Sequence, residues 1–139
     1  TTLPVRTVSD GDIARHGEVI VVPLVERMLI DGNGLVQLTA ASDSSPYNPS
    51  IDRVMRDVAD RFGPAAGAII FSGMAHDAID GAVYMRERGG TIWVQDPATC
   101  VISSMVDGAQ DAGVVSLVGS PLELAQALGA ETARRAAGG

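Results

Sequence analysis

Three short apolar runs, separated by segments of helical length, constrain the fold of this chain most. They read AIIFSG (68–73), TIWVQD (91–96) and VVSLV (114–118). Continuous apolar runs of this kind are typical of strands that are buried on both faces of a parallel sheet. Parallel strands need crossover connections, which are almost always helical and right-handed. The sequence therefore predicts an α/β fold with a doubly wound, mostly parallel sheet in a Rossmann-like three-layer arrangement.

The first forty residues have the pattern of β-structure instead. EVIVVP (18–23) is a short β-branched run, and RMLI and LVQLTA flank the turn DGNG (31–34). Asp-Gly and Asn-Gly pairs favour the positive φ angles of hairpin turns. We therefore expect an antiparallel β-hairpin attached to the parallel sheet.

Capping residues predict where the helices begin and end. The first helix is expected to have Asn48 as its N-cap and Pro49 at its first position, and to end at Gly63. A second follows within 77–90, and a third, short helix ends at Gly113. The last is expected to start after Ser120 and stop at Gly129, with the tail extending or fraying from it. The apolar face of the first helix is formed by Ile51, Val54, Met55, Val58 and Phe62.

Composition excludes several classes of protein. At 139 residues the chain has the length of one domain, and no apolar run approaches the ~20 residues of a membrane span. Its 10 Arg and no Lys stand against 17 acidic residues, and the net charge of −7 repels nucleic acid. A single cysteine, Cys100, rules out an internal disulfide and fits a reducing compartment. These features predict a cytoplasmic protein that binds no nucleic acid and does not insert into membranes.

Polar residues follow the first apolar run at the carboxyl end of its strand, where α/β sheets bind ligands. From position alone, Asp77 is either a catalytic carboxylate or, more simply, the N-cap of the helix that follows it. His76 and Asp80 lack a third partner for a metal, and the turn has no GxSxG nucleophile motif. Cys100 is expected to be a small buried residue, and His16 to be solvated. We predict neither a metal nor a cofactor.

Three segments in order carry a more specific signal. They are PSIDRVMRDVADRFG, SGMAHDAIDGAVYMRERGG and TIWVQDPATCVISSM, and the match extends upstream through LPVRTVSDGDIARHGEVIVVP. Together they resemble the catalytic domain of the chemotaxis protein-glutamate methylesterases (CheB-type). The resemblance implies a serine esterase that hydrolyses glutamate γ-methyl esters on chemoreceptors through a Ser-His-Asp triad. Ala75 and Ala78 stand where that family commonly has glycine.

The resemblance assigns roles to individual residues. Asp77 matches the family's catalytic aspartate through the Gly73-Met74-x-x-Asp77 box, and the backbone N–H at Met74 is expected to help hold the oxyanion. Gly73 and Ala75 lie beside it. The family's serine and histidine precede the segment that this chain covers, and neither His16 nor His76 matches the histidine.

Residues 1–139 are therefore expected to form a single methylesterase-like domain that is incomplete at its N-terminus and inactive alone. The expected partners are a methyl-accepting chemoreceptor as protein substrate, a response-regulator domain in cis and a second copy of the chain as a homodimer. The alternative is a non-catalytic signalling module derived from the same fold.

Overall fold

The structure is a computed structural model that describes residues 2–23, 26–40, 50–74 and 76–138. Within these ranges, three parallel strands form the central sheet in the order β5-β6-β7: β5 (Gly67–Ile70), β6 (Thr91–Gln95) and β7 (Leu117–Gly119). The register joins Ala68 to Ile92 and Val94 to Val118. The predicted parallel α/β sheet is therefore confirmed, although its third strand begins at Leu117 rather than at residue 114.

Helices lie on both faces of this sheet. Helices α1 (Ile51–Phe62), α2 (Ile79–Glu87) and α3 (Ser104–Asp111) cover the face that carries Ile70, Ile92 and Val94. This face is the main core, where Ile92, Val94, Met85 and Val106 are at most 1% exposed. Helix α4 (Pro121–Gly138) contacts β6 and β7 and places the buried Leu124 against Gly119. The result is the three-layer arrangement that the sequence predicts.

Helices α1 and α2 pack unusually closely at Gly81. A Cβ atom at this position would lie 2.8 Å from the Asp52 Cα and 2.9 Å from the Met55 Cβ. Both distances are shorter than a carbon–carbon van der Waals contact of about 3.5 Å. The absence of a side chain at Gly81 therefore lets the backbones of the two helices touch.

A smaller β-structure precedes the main sheet. Strands β1 (Val5–Thr7) and β2 (Val19–Val21) pair in parallel, and β3 (Glu26–Ile30) and β4 (Val36–Ala40) form the predicted antiparallel hairpin. The two pairs join where Gly11 donates to the Val36 carbonyl and Val36 donates to the Asp12 carbonyl. The Arg27 guanidinium binds the Asp57 carboxylate through two hydrogen bonds of 2.8 and 2.7 Å, which fasten the hairpin to α1.

Two predicted helix boundaries are wrong. Helix α1 begins at Ile51 with Ser50 as its N-cap, two residues later than predicted, while Asn48 and Pro49 lie outside the described residues. Helix α4 does not stop at Gly129 but continues to Gly138, so the tail extends the helix, which was one of the two expectations for it. Gly129 adopts no positive φ, so it does not act as a C-cap, and one isolated glycine costs a helix only about 1 kcal/mol. The predicted end of α1 is confirmed, since Gly63 closes this helix with a φ of 52°.

Strand β5 forms the edge of the central sheet, because β6 is its only partner within the described ranges. Beside this edge, on the face that α4 covers, lies a groove of about 460 Å³. Ile69, Trp93 and Leu128 supply its apolar lining, and Glu131, Arg134 and Arg135 its charged rim. Helix α4 thus covers only part of the outer face. No helix in the described part of the chain is both long and apolar enough to cross a membrane.

Candidate functional site

Asp77 lies in the turn between β5 and α2, and its side chain is only 4% exposed. Its position in the sequence suggests that it caps α2, but it does not. The residue at the N-cap of α2 is Ala78, which has no side-chain cap and a left-handed φ of 81°. Asp77 points instead at the first turn of α1, which lies earlier in the chain. The predicted local cap is therefore wrong, and the aspartate caps a different helix.

Four donors hold the Asp77 carboxylate. The N–H groups of Asp52 (2.9 Å) and Ala78 (3.0 Å) and the Ser50 hydroxyl (3.4 Å) donate to Oδ1. The Ile51 N–H donates to Oδ2 at 2.6 Å. Each carboxylate oxygen has two lone pairs, so Oδ1 is fully used. The Asp52 carboxyl also forms a hydrogen bond with the Asp77 carboxylate.

These bonds keep Asp77 ionised. Burial opposes the charge, but the N–H groups of Asp52, Ile51 and Ala78 outweigh it and hold the pKa of Asp77 below its ordinary value. Donors at the start of α1 also carry the partial positive charge of the helix N-terminus, which favours an anion there. Asp77 is thus a fixed, buried negative charge at the carboxyl end of β5.

Asp52 returns the contact in the opposite direction. It is the second residue of α1, and its Oδ1 accepts a hydrogen bond from the Gly81 N–H in the first turn of α2. Asp77 therefore caps α1 while Asp52 caps α2. We call the hydrogen bonds that Asp77 and Asp52 make to the two helix starts the cross-cap. Because both carboxylates lie at the same helix contact, neither can move without disturbing the other.

The loops after β5 and β6 are bound to each other beside Asp77. Gln95, which is 7% exposed, accepts from the Ser72 N–H and donates to Thr99. The Gly73 N–H donates to the Ile102 carbonyl, so it is occupied. The next N–H, at Met74, has no acceptor among the described residues, and the Met74 side chain is 77% exposed. Ala75 lies outside the described residues.

Apolar side chains surround this pair of loops. Phe71, directly after β5, is 49% exposed, and Val101, in the loop between β6 and α3, is 94% exposed. Ser72, Gln95 and Ser104 fix the loop backbones through hydrogen bonds to the opposite loop. The Met74 N–H, unpaired among the described residues, thus lies beside a partly apolar pair of loops.

Among the described residues no histidine contacts Asp77, and the neighbouring Ser50 hydroxyl is engaged as the N-cap of α1. His76 is exposed and makes no hydrogen bond to the neighbouring carboxylate, and His16 is an exposed turn residue before β2, as predicted. The hydroxyls of Ser72 and Ser104 bind backbone carbonyls. Cys100 is half-buried, and burial raises the pKa of its thiol, which keeps it protonated. No described cluster of His, Cys, Asp or Glu could hold a metal ion.

Ser50 and Asp52 also contribute to the site, although no local sequence pattern predicts this. Both belong to the PSID segment (49–52), whose only recognised signal was its place in the family resemblance. The distance between Asp52 and Gly81 in the chain hides their contact, because no local pattern links them. The partners of Asp77 follow from the packing of α1 against α2.

Comparisons with known proteins agree with one another. The profile of the CheB methylesterase family matches residues 1–128. The chain is similar to the protein-glutamate methylesterase/protein-glutamine glutaminase of Moorella thermoacetica, with 36% identity over 125 residues, which cover 87% of this chain and 29% of that protein. Enzyme 3 of the same name from Pseudomonas syringae pv. syringae is 31% identical over 103 residues, or 74% of this chain and 27% of its own length.

A solved structure has the same fold. The Thermotoga maritima CheB methylesterase catalytic domain superposes with a TM-score of 0.81 at 23% sequence identity, covering 88% of this chain and 67% of that chain. The chain spans less than a third of the length of the two curated relatives.

Proposed function

Because this chain belongs to the CheB methylesterase family, we propose that it forms part of a serine esterase that hydrolyses glutamate γ-methyl esters on chemoreceptors. The observation that carries this proposal is Asp77, a buried carboxylate at the carboxyl end of β5 that backbone N–H groups hold ionised. Such a carboxylate suits the Nδ1–H of a histidine, which a triad aspartate orients.

The proposed reaction follows the serine-esterase sequence. A serine hydroxyl attacks the ester carbonyl while the histidine takes its proton, and Asp77 stabilises the imidazolium that forms. The Met74 N–H donates to the carbonyl oxygen as it becomes negative, because this donor has no partner in the described structure. Methanol leaves with the proton of the imidazolium, and water then releases the glutamate from the acyl-enzyme.

The serine and histidine are proposed to lie in a preceding segment of a longer polypeptide. This fits a chain that covers 67% of a solved catalytic domain, and described residues in which neither histidine contacts Asp77. A Ser-x-Gly-Gly turn and a later Gln-His pair would mark that segment. The relatives are also named protein-glutamine glutaminases. Since a glutamine γ-amide passes through the same acyl-enzyme, we propose deamidation as a second reaction of the same site.

The proposed substrate also implies a partner protein and a location in the cell. A methyl-accepting chemoreceptor is the protein substrate, and its signalling region places the reaction in the cytoplasm. A response-regulator domain in cis would control access to the site. The full-length relatives are more than three times as long as the matched region, which leaves room for such a domain.

Residues 1–139 alone are expected not to hydrolyse esters, because an aspartate without its serine and histidine supplies no nucleophile. The test compares this chain with a longer polypeptide from the same reading frame that includes the upstream segment. Methanol release from a methylated receptor fragment is measured for both. The longer protein is expected to be active, whereas ester turnover by the short chain that survives repurification would contradict the divided triad.

We also propose that the β5 edge binds another chain when residues 1–139 are isolated. Its unpaired N–H and C=O groups and the adjoining groove favour association, so dimers are expected at high concentration by light scattering. Ile69→Lys places a charge in the groove beside this edge and should weaken association. Leu122→Lys, at an exposed site on α4, is the control. A strictly monomeric wild-type chain would refute the proposal.

A further inference from the structure

We propose that Val101 is a specificity-determining residue that binds an apolar stretch of the protein substrate beside the glutamate ester. Val101 belongs to a set of exposed apolar side chains, here called the apolar rim, that lie close to Asp77 and to the Met74 N–H. The rim consists of Ile51, Phe71, Met74, Val101 and Ile102. This assignment rests on the proposed function and names the surface that selects its substrate.

Two different elements connect the apolar rim to Asp77. Ile51, at the start of α1, donates its N–H to Asp77 Oδ2 at 2.6 Å, and its side chain is exposed. Met74, in the loop after β5, precedes Asp77 by three residues and is also exposed. A substrate whose carbonyl oxygen accepts from the Met74 N–H must therefore lie against side chains of the rim.

The loops after β5 and β6 bring the other rim residues together. The Ser72 hydroxyl and the Gly73 N–H each donate to the Ile102 carbonyl at 3.1 Å, and the Ile102 N–H donates back to the Ser72 hydroxyl oxygen at 3.2 Å. Three rim residues are direct chain neighbours of these bonded residues, namely Phe71, Met74 and Val101. Single exposed apolar residues are common, but a cluster of them beside a candidate site indicates a binding surface.

Val101 is the rim residue that a preceding segment of the polypeptide is least suited to cover. The sheet order β5-β6-β7 leaves β5 at the edge within the described ranges, so an added strand would pair there and cover Phe71 first. Val101 lies in the loop after β6, one strand further from that edge, and is 94% exposed. This part of the rim is therefore open to the substrate.

The charges near the rim favour an uncharged partner. Residues 71–74 and 97–106 contain no acidic or basic side chain, and the residues that flank the second of these segments are Asp96 and Asp107. A free glutamate carboxylate is repelled by such neighbours and by the ionised Asp77, whereas a glutamate ester is neutral and adds an apolar methyl group. The partner is thus a stretch of apolar residues around an uncharged glutamate ester.

The experiment uses the longer polypeptide with the complete triad and two substrates. One is a methylated receptor fragment, and the other is N-acetylglutamate γ-methyl ester, which has the ester but no flanking residues. Val101→Ser is expected to raise KM for the receptor fragment about tenfold with kcat nearly unchanged, because the burial of an apolar side chain on binding is lost. Hydrolysis of the small ester should stay within about twofold of the wild type, because this substrate does not reach Val101.

Leu122→Ser is the matched control, since it makes a similar change at an exposed site on α4. It should match the wild type with both substrates. Because Val101 makes almost no packing contact, its variant should also keep the wild-type melting temperature, so a change in KM reports on binding and not on folding.

Any other result decides against the assignment. Unchanged kinetics in Val101→Ser would mean that the substrate does not touch this part of the rim. An equal loss with both substrates would trace the effect to the reaction or to folding, and a gain with both would assign the surface to another domain of the same polypeptide that blocks the site. Asp77→Asn is measured in parallel: if it stays active, the proposed triad fails together with the role of Val101, whereas an inactive Asp77→Asn beside an unchanged Val101→Ser removes only that role.

Discussion

Asp77→Asn is expected to lower ester hydrolysis by about four orders of magnitude in a polypeptide that contains the complete triad. The same change in the triad of a serine protease has this effect, because the amide favours the wrong histidine tautomer and cannot stabilise the imidazolium. Here the loss should appear in kcat for methanol release from a methylated receptor fragment. Activity within tenfold of the wild type would leave Asp77 as a helix cap only.

The same substitution is also expected to destabilise the fold. An asparagine has one acceptor oxygen, whereas Asp77 accepts on both Oδ1 and Oδ2, so the amide must face at least one N–H donor. An unsatisfied buried donor costs about 1–3 kcal/mol. Activity must therefore be measured below the lowered melting temperature.

Ser50→Ala provides a matched control for this loss of stability. It removes the hydroxyl that accepts from the Arg53 N–H and donates to Asp77, at a cost of about 1 kcal/mol, but it leaves the carboxylate charged. Its activity should stay within a few-fold of the wild type. An equal collapse of activity in both variants would attribute the effect to the first turn of α1 rather than to the charge.

Gly81→Ala is expected to lower the stability of the chain. Among glycine-to-alanine changes at described positions where the new Cβ would meet backbone atoms, we expect its loss of stability to be the largest. The new Cβ would lie 2.8 Å from the Asp52 Cα and 3.0 Å from its carbonyl oxygen, and backbone atoms cannot turn aside as a side chain can. Overpacking of this kind costs about 1–3 kcal/mol, which exceeds the ~1 kcal/mol that alanine adds to helix propensity. Chemical denaturation of residues 1–139 measures the difference directly.

Gly129→Ala is the control for this prediction. Gly129 also lies within a helix, but an added Cβ there meets no atom within 4 Å. Only the propensity term remains, so a gain of about 0.5–1 kcal/mol is expected. If both variants are stabilised, α1 and α2 can separate at Gly81 at little cost, and the cross-cap is less rigid than its geometry implies.

The parallel sheet could be predicted from sequence because its signals are local. AIIFSG and TIWVQD are continuous apolar runs, and Asp-Gly and Asn-Gly mark the hairpin turn. The end of α4 could not be predicted in the same way, because Gly129 stops a helix only when its backbone adopts a positive φ. Residue type alone does not reveal that conformation, whereas Gly63 and Gly113 have it.

The position of Asp77 followed from sequence, but its hydrogen-bond partners did not. A carboxylate directly before a helix ordinarily caps that helix, and this local rule predicts the wrong partner here. The three acceptor contacts with Ser50, Ile51 and Asp52 join residues that are 25 to 27 positions apart. Such contacts depend on how α1 and α2 cross, which is set by packing at Gly81 and not by capping preference.

The cross-cap has a consequence for local unfolding. Helix starts usually fray independently, because each is held by its own nearby residue. In this chain the first turn of α1 loses its acceptor if the turn at Asp77 opens, and the first turn of α2 loses its acceptor if α1 frays at Asp52. The two helix starts therefore form one cooperative opening unit, and the amides of Ile51, Asp52 and Gly81 should exchange with solvent deuterium at a common rate.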